Sequence, residues 1–371
     1  MVGPKAIIHL DRLKTNFDLI KNQVNDPPIM AVVKANGYGH GGVACARVLE
    51  SYGCGFFAVF TMDEGIELRQ AGIQSDILIF SRIDASRLEE AVQHQLTLNL
   101  CHEVDIPTLT HFFKKNGVCP KVHLKVDTGM TRLGIDLDAA EKIIQKLKNH
   151  PELQCEGIFS HFATADEGDL SYAHEQELKF KSVLEIAEKI GYGFTHIHFS
   201  NSGSVINLDQ SVYNMVRVGM VLYGAFPSHE VPTDIPIKPV MEFIAPIVTV
   251  RNVPAGTPVS YGGVFTTISE SNIGVIQCGF ADGIPRQWYQ KGHIMFKGNK
   301  YKIAGRICMD QFMVNFEDIE PDVGEEVLIM GDGKDGCIRM EEIAEAIDST
   351  PYVLATGIGG RTQRIFQDKF P

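Results

Sequence analysis

Long apolar runs, paired cysteines and an excess of positive charge are all missing from this chain. No stretch of the 371 residues approaches the ~20 consecutive apolar residues that span a bilayer. The opening residues, MVGPKAIIHLD, lack the apolar core of a secretory leader. The eight cysteines (Cys45, Cys54, Cys101, Cys119, Cys155, Cys278, Cys308 and Cys337) are scattered, with no CxxC pair and no zinc-type spacing. In a chain of this length they read as reduced thiols, and no metal site is expected. A formal net charge of −12 disfavours nucleic-acid or anionic-membrane partners while leaving room for a local basic pocket. No internal repeat or low-complexity segment is evident. The expectation is a soluble cytoplasmic protein.

What is present is core-forming material in a regular rhythm. Hydrophobic residues make up 44% of the chain, and the length suggests one large barrel plus a second unit. Strand-like runs fall near 29–33, 56–60, 77–80, 96–100, 121–126, 154–160, 195–199 and 213–218. Amphipathic helical patterns lie between them, for example at 63–71, 85–94, 137–149 and 175–190. Eight such units are the count of a TIM (β/α)8 barrel, whose functional groups gather at the C-terminal ends of the strands. After Pro227, Pro232, Pro236 and Pro239 the rhythm changes to short alternating runs, including 244–250, 258–261, 272–277 and 326–330, and closes with one helix at 340–347. The predicted organisation is a barrel over 1–235 and a mostly β domain over 236–371. The first ten or so residues are expected to associate with that second domain.

Lys34 stands out. It follows the apolar run 29–33 and opens the glycine-rich turn 35–42 before a helical pattern. The first polar residue past a buried strand emerges where the sheet opens to ligand, and the glycines permit close backbone approach. An ordinary solvated loop lysine is the competing reading. Gly37, Gly39 and Gly42 also fit a G-x-G-x-x-G dinucleotide pattern, with Asp63 downstream. That pattern alone supports an NAD-dependent oxidoreductase, but the eight-strand count opposes it.

Other chemically capable residues fall at predicted strand ends. They are Lys125, Asp127 and Arg132 in KVDTGMTRLG at 125–134, His161 and Asp166 after strand six, His198, Asn201 and Ser202 after strand seven, and Arg217, Gly219 and Met220 at strand eight. Taken singly, each has an equally open structural role, such as a satisfied histidine or a loop arginine. Gathered at one rim they are harder to explain that way. The loops after strands seven and eight are the usual phosphate site of this fold.

The motifs AVVKANGYGHG (31–41), KVDTGMTRLG (125–134), SHFA (160–163), Asn201-Ser202, MVRVG (215–219), VSYG (259–262), GFADG (279–283) and GRICMDQ (305–311) run in order over nearly the whole chain. In this set the chain resembles the bacterial alanine racemases, pyridoxal-phosphate (PLP) enzymes with a barrel and a C-terminal β domain. The resemblance implies that Lys34 carries PLP covalently. It implies that Tyr38, Ser202, Gly219, Met220 and Tyr352 bind the cofactor phosphate beside Asn201, that His161 lies beside the ring, and that Arg217 faces the ring nitrogen. Arg132 and the Met309 backbone would receive the alanine carboxylate. Lys125 matches a position often carbamylated, and Cys308 and Asp310 would support the Met309 segment. Tyr261 would be the second base, with His198 linking it to Arg217. It would come from the partner in a homodimer with shared active sites, and the product D-alanine would serve peptidoglycan. Asp166, Arg286 and Arg306 would line the entrance.

Chemistry agrees, since racemisation takes a proton from one face and returns it to the other, which calls for two bases. Phe280 replaces a commoner tyrosine, and the segments around Tyr352 and 357–361 depart from the family pattern. Serine or lysine therefore stay open as additional or preferred substrates. A non-catalytic PLP-carrier barrel is opposed by the β domain, and a decarboxylase of similar architecture by the GRICMD segment.

Overall fold

The computed structural model describes residues 3–24, 26–210 and 213–367. β1 (Lys5–His9) leads into the helix Leu10–Gln23. Strands and helices then alternate through β2 (Ile29–Val32), β3 (Phe56–Val59), β4 (Asp76–Arg82), β5 (Thr97–Leu100), β6 (Val122–Lys125), β7 (Cys155–Phe159), β8 (His196–His198) and β9 (Val216–Val218). β2 to β9 form one parallel sheet in the order β8-β7-β6-β5-β4-β3-β2-β9. Every position of β2, β3, β5, β6 and β9 is buried, which is why β2 and β3 read as continuous apolar runs rather than alternations, while β5, β6 and β9 bury Thr97, Asn99, His123, Lys125 and Arg217 among their apolar residues.

Among the described residues no ladder joins β8 to β9 directly. Asn214 spans that seam. Its Oδ1 accepts from the Ile197 N–H at 2.7 Å and its Nδ2 donates to the Thr195 carbonyl at 2.9 Å. One side chain thus takes the place of ladder bonds, and the sheet forms the expected TIM-type barrel.

A second sheet is organised on β10 (Met241–Val253), which pairs antiparallel with β1, Ser271–Ile276 and Glu326–Gly333. β1 also pairs in parallel with the last strand, Gln363–Gln367. The irregular segment between barrel and β domain is pinned by the buried Asn16. Asn16 Nδ2 donates to the carbonyls of Leu222 (3.0 Å) and Lys238 (2.9 Å), and its Oδ1 accepts from the Lys238 N–H at 2.9 Å. There Gly224 adopts φ +80°, and a Cβ on it would lie 1.8 Å from the Lys238 carbonyl oxygen.

Four local expectations are corrected. β1 and Gln363–Gln367 are strands that local pattern did not reveal. The β domain closes with two helices, Met340–Ala346 and Pro351–Gly357, rather than one. The 175–190 pattern belongs to a longer helix, Ser171–Ile190. Tyr261 is not on a strand, because pairing stops at Val259 and Ser260 (φ +65°) turns the chain into a 3-10 turn, Tyr261–Gly263.

Among the described residues no helix is long and apolar enough to cross a membrane. None of their His, Cys, Asp and Glu side chains cluster in a way that could hold a metal.

Candidate active site

A cavity of about 570 Å³ opens at the C-terminal rim of the barrel. Lys34, Tyr38, Lys125, Arg132, His161, Asn201, Ser202, Arg217, Gly219, Met220 and Tyr352 line it, together with the rings of Phe80 and Phe159. Eleven sequence-derived site residues from six chain segments therefore meet in one place.

The Lys34 turn is unusual. Ala35, Asn36, Gly37, Tyr38 and Gly39 all have positive φ, between 49° and 79°, a left-handed turn in which non-glycine residues are strained. Hydrogen bonds hold it. Asn36 Oδ1 accepts from the Gly42 N–H at 2.8 Å, Arg364 Nε donates to the Gly39 carbonyl at 2.6 Å, and Glu64 Oε1 accepts from the Ala35 N–H at 2.6 Å. Burial, then the charges of Arg132 and Arg217, lower the Lys34 amine below its ordinary value. These glycines therefore serve a compact turn on a barrel strand and not the phosphate loop of a dinucleotide fold.

Arg217 is fully enclosed and heads a polar column through the barrel interior. Its Nη1 donates to His198 Nδ1 at 2.9 Å, and its Nη2 donates to the Ser160 carbonyl and to His161 Nδ1, each at 2.9 Å. An arginine only donates, so Nδ1 of both histidines must be the unprotonated nitrogen. His198 then donates from Nε2 to His123 Nδ1 at 2.9 Å, and the buried His123 Nε2 has no partner. Burial first, then Arg217 for His161 and His123 followed by Arg217 for His198, drives both well below the ordinary histidine range, and both are neutral. Burial also lowers Arg217, to about 9, the Arg132 charge adding to it. Arg217 remains cationic at neutral pH.

This geometry overturns one expected role. Both ring nitrogens of His198 are engaged, by Arg217 and His123, and the residue is buried. It cannot link Arg217 to a tyrosine hydroxyl. His161 touches Arg217 and also lines the cavity.

Lys125 is deeply buried, its Nζ 4.7 Å from the Phe159 ring centroid. Burial, then Arg217 and Arg132, lowers its amine to about 7. The Arg132 loop is shaped by Asp127, which accepts from the N–H groups of Gly129 (2.9 Å), Thr131 (3.0 Å) and Arg132 (3.2 Å). The buried Gln176 ties this loop to the next, donating to Thr128 Oγ1 (3.2 Å) and the His161 carbonyl (3.1 Å) and accepting from the Ala163 N–H (2.8 Å).

At the other end of the cavity lies a group of neutral donors. Asn201 caps the helix Ser202–Asn207, its Oδ1 accepting from the Ser204 N–H at 2.9 Å. The Ser202 hydroxyl faces the N–H groups of Gly219 (3.3 Å) and Val221 (3.4 Å). A Cβ on Gly219 would lie 2.6 Å from the Tyr38 hydroxyl oxygen, so only glycine lets that hydroxyl reach the backbone here. Tyr352, on Pro351–Gly357 of the β domain, packs its ring 5.9 Å from that of Tyr38. Burial followed by the Asp166 charge raises its phenol, which stays neutral.

Asp166 lies on the barrel loop after β7, outside the cavity lining, and the other remaining expected residues lie on the β domain. Tyr261 and Met309 are 66% and 56% exposed, and Phe280 beside them is 40% exposed. Ser260 donates to the Arg306 carbonyl at 2.7 Å, while Phe280 and Ala281 N–H groups donate to the Cys308 and Met309 carbonyls at 3.0 Å. Asp310 pairs with Arg361 at 2.8 Å. Arg286 begins the 3-10 helix Arg286–Gln290, close enough that its charge and that of Arg306 help lower Tyr289 after hydrogen bonds from Gln290 and Arg306. Tyr261 and Met309 are thus exposed, and Arg306 and Cys308 beside them are half-buried.

Sequence reading missed Glu64, His123 and Gln176. Thr61 and Glu64 did carry a signal, the T-x-x-E spacing of a capping box. His123 and Gln176 act across the barrel interior and gave none.

A barrel with a buried lysine, an enclosed arginine and a donor-rich cradle at the C-terminal rim of its strands, joined to a β domain, defines a two-domain barrel protein with a polar pocket at that rim. Comparison with known proteins narrows this. Residues 8–227 match the alanine racemase N-terminal domain and residues 240–366 the alanine racemase C-terminal domain. The chain is 37% identical over 362 residues to alanine racemase 2 of Caldanaerobacter subterraneus subsp. tengcongensis, covering 97% of this chain and 93% of that protein. It is 37% identical over 367 residues to the alanine racemase of Halothermothrix orenii, covering 98% and 97%. The crystal structure of alanine racemase from D-cycloserine producing Streptomyces lavendulae superposes with a TM-score of 0.94 at 31% identity, covering 100% of this chain and 98% of that one. The chain belongs to the alanine racemase family and is an enzyme of that family.

Proposed function

We propose that this chain interconverts L- and D-alanine in the cytoplasm, with PLP held in the barrel cavity and protons exchanged by Lys34 and Tyr261 on opposite faces of the substrate. The observation that carries this reading is one cavity holding a lysine of lowered basicity, an enclosed arginine and a neutral donor cradle.

These residues fit PLP. The Tyr38 and Ser202 hydroxyls and the backbone around Gly219 and Met220, with Tyr352, would hold its phosphate, and Lys34 would attach it. PLP, when bound, supplies a conjugated ring that accepts charge from the substrate α-carbon. The chain supplies everything else. Lowered basicity enlarges the neutral, nucleophilic fraction of Lys34. Arg217 would face the ring nitrogen as a group that stays cationic and keeps its protons at neutral pH, which would restrain side reactions. Arg132 and the Met309 N–H, which makes no hydrogen bond among the described residues, would orient the carboxylate. A carbamate on Lys125 would hold Arg132.

Tyr261 completes the pair of bases. Exposed and outside its own chain's cavity, it would serve the cavity of a second copy in a homodimer with two shared sites. There the His161 Nε2–H, not His198, would support the tyrosine oxygen. Asp166, Arg286 and Arg306 would border the entrance, and the D-alanine formed would feed peptidoglycan synthesis.

The test is a panel of L-amino acids incubated with purified protein and PLP, read by chiral chromatography, with borohydride reduction and peptide mapping in parallel. Alanine should yield the D enantiomer fastest and the cofactor should map to Lys34. Serine or lysine as the best substrate would displace alanine while keeping the chemistry, and a label on another lysine would remove Lys34 from its role.

A further inference from the structure

We infer that Glu64 is a positioning residue for Lys34, its carboxylate fastening the strained turn that presents the lysine to the start of the neighbouring helix. The inference rests on the reading that Lys34 carries the cofactor.

The carboxylate is used on both sides. Oε1 accepts from the Ala35 N–H, the first backbone donor after Lys34, at 2.6 Å. Oε2 accepts from the N–H groups of Phe60 (2.9 Å) and Thr61 (3.0 Å) where β3 passes into the helix Met62–Gln70. Thr61 Oγ1 returns the cap by accepting from the Glu64 N–H at 3.2 Å. An ordinary capping box needs only the second set of bonds. The bond to Ala35 is additional, and it joins two successive βα loops at the point where one of them is left-handed. Ala35 (φ 52°) and Asn36 (φ 53°) hold that conformation without being glycine, so it persists only while its surroundings enforce it.

Glu64 is also the acid in the surroundings of Lys34. Arg132, Arg217, His161 and the Tyr38 ring (5.9 Å) face the amine from the other elements, and Glu64 alone among the charges acting on Lys34 favours its protonated form. Glutamine cannot replace it. With a single acceptor oxygen, its amide would set N–H against N–H at either Ala35 or the Phe60–Thr61 pair.

Thr61→Ala serves as the control, since it weakens the same helix cap without touching the Ala35 bond. Amide hydrogen exchange of the cofactor-free protein reads the turn directly. In Glu64→Gln, exchange across residues 35–42 should quicken about tenfold or more, the scale of one lost charge-assisted hydrogen bond, and remain near wild type in Thr61→Ala. When PLP is added to the cofactor-free protein, Glu64→Gln should slow cofactor capture at Lys34, followed by absorbance, and move the pH dependence of that capture to lower pH, whereas Thr61→Ala should do neither. Glu64→Asp keeps both oxygens and the charge one methylene further back, and its values should fall between. Equal behaviour of Glu64→Gln and Thr61→Ala, or unchanged exchange at 35–42 in all variants, would reduce Glu64 to a helix cap. If the reduced cofactor maps away from Lys34, the cofactor reading fails by itself, and the exchange experiment still decides whether Glu64 fastens the turn.

Discussion

Replacing Lys125 with methionine should change how the cofactor-free protein's stability depends on pH. The folded chain lowers this amine from 10.5 to about 7, while in the unfolded chain it titrates as a free lysine. Between these two values the unfolded state binds a proton that the folded state does not, so stability rises with pH through that window. The slope approaches about 1.4 kcal/mol per pH unit once the folded amine is neutral. Between pH 7 and 9 the gain attributable to Lys125 is roughly 2 kcal/mol, allowing for half-protonation at the lower end. Methionine has similar length, no charge and a natural place above the Phe159 ring. Urea unfolding of both proteins at pH 7 and 9, in carbonate-free buffer and at one protein concentration, isolates the term, because every other titrating group is common to the two. The wild-type midpoint should climb relative to that of Lys125→Met. Parallel curves would mean that the amine is charged and solvated in the folded state, and the account of Lys125 would fall. The same neutral amine can bond to CO2 through nitrogen, losing one proton to leave a carbamate. Bicarbonate at pH 8 should therefore add the mass of one CO2 and stabilise the wild type, but not the variant.

Mixing inactive Lys34→Ala with inactive Tyr261→Ala protein and allowing subunit exchange should restore activity. Random pairing yields mixed dimers with one intact site in two, up to about a quarter of wild type, and verified mixed dimers without activity would place both bases in one chain's site. Tyr261→Phe should slow deuterium wash-in to L-alanine by roughly 10²–10⁴-fold and to D-alanine much less, whereas equal slowing with cofactor normally bound would count against a stereospecific base. Gly224→Ala forces a Cβ to within 1.8 Å of the Lys238 carbonyl at φ +80°, and should cost roughly 2–4 kcal/mol by urea titration. An unchanged midpoint would show that the barrel-to-β segment yields freely there.

The barrel was legible because a parallel strand buried on both faces favours a short apolar run, and β2, β3 and the centre of β4 are such runs, with the other strands recognisable by their spacing between stretches of helical periodicity. β1 carried no comparable signal. KAIIH alternates over only five residues, and its partners lie more than two hundred positions away, at Met241 and Gln363. Turn geometry was equally hidden. The glycines at 37 and 39 announced a tight turn after Lys34, but nothing in Ala35 or Asn36 says that they too adopt positive φ, because that conformation is imposed by Glu64 and the packing of the loop. Ser260 is the same case. Its positive φ ends the strand one residue before Tyr261, and a serine between Val259 and Tyr261 reads locally as strand.

The histidines show most plainly where residue identity stops being informative. His161 and His198 both occur at the ends of barrel strands, both are neutral, and both accept from Arg217. From the chain alone either could serve a tyrosine in the cavity. What separates them is His123, 75 positions from His198, which comes from a different strand and takes the remaining nitrogen of His198. A protonation pattern is a property of the whole column, since the donor-only arginine fixes one tautomer and each histidine then fixes the next. His198 therefore steadies Arg217 from behind and His161 offers its free N–H on the cavity side. His198 loses its expected duty because of a third histidine whose only visible trait in the sequence was that it stood inside an apolar strand.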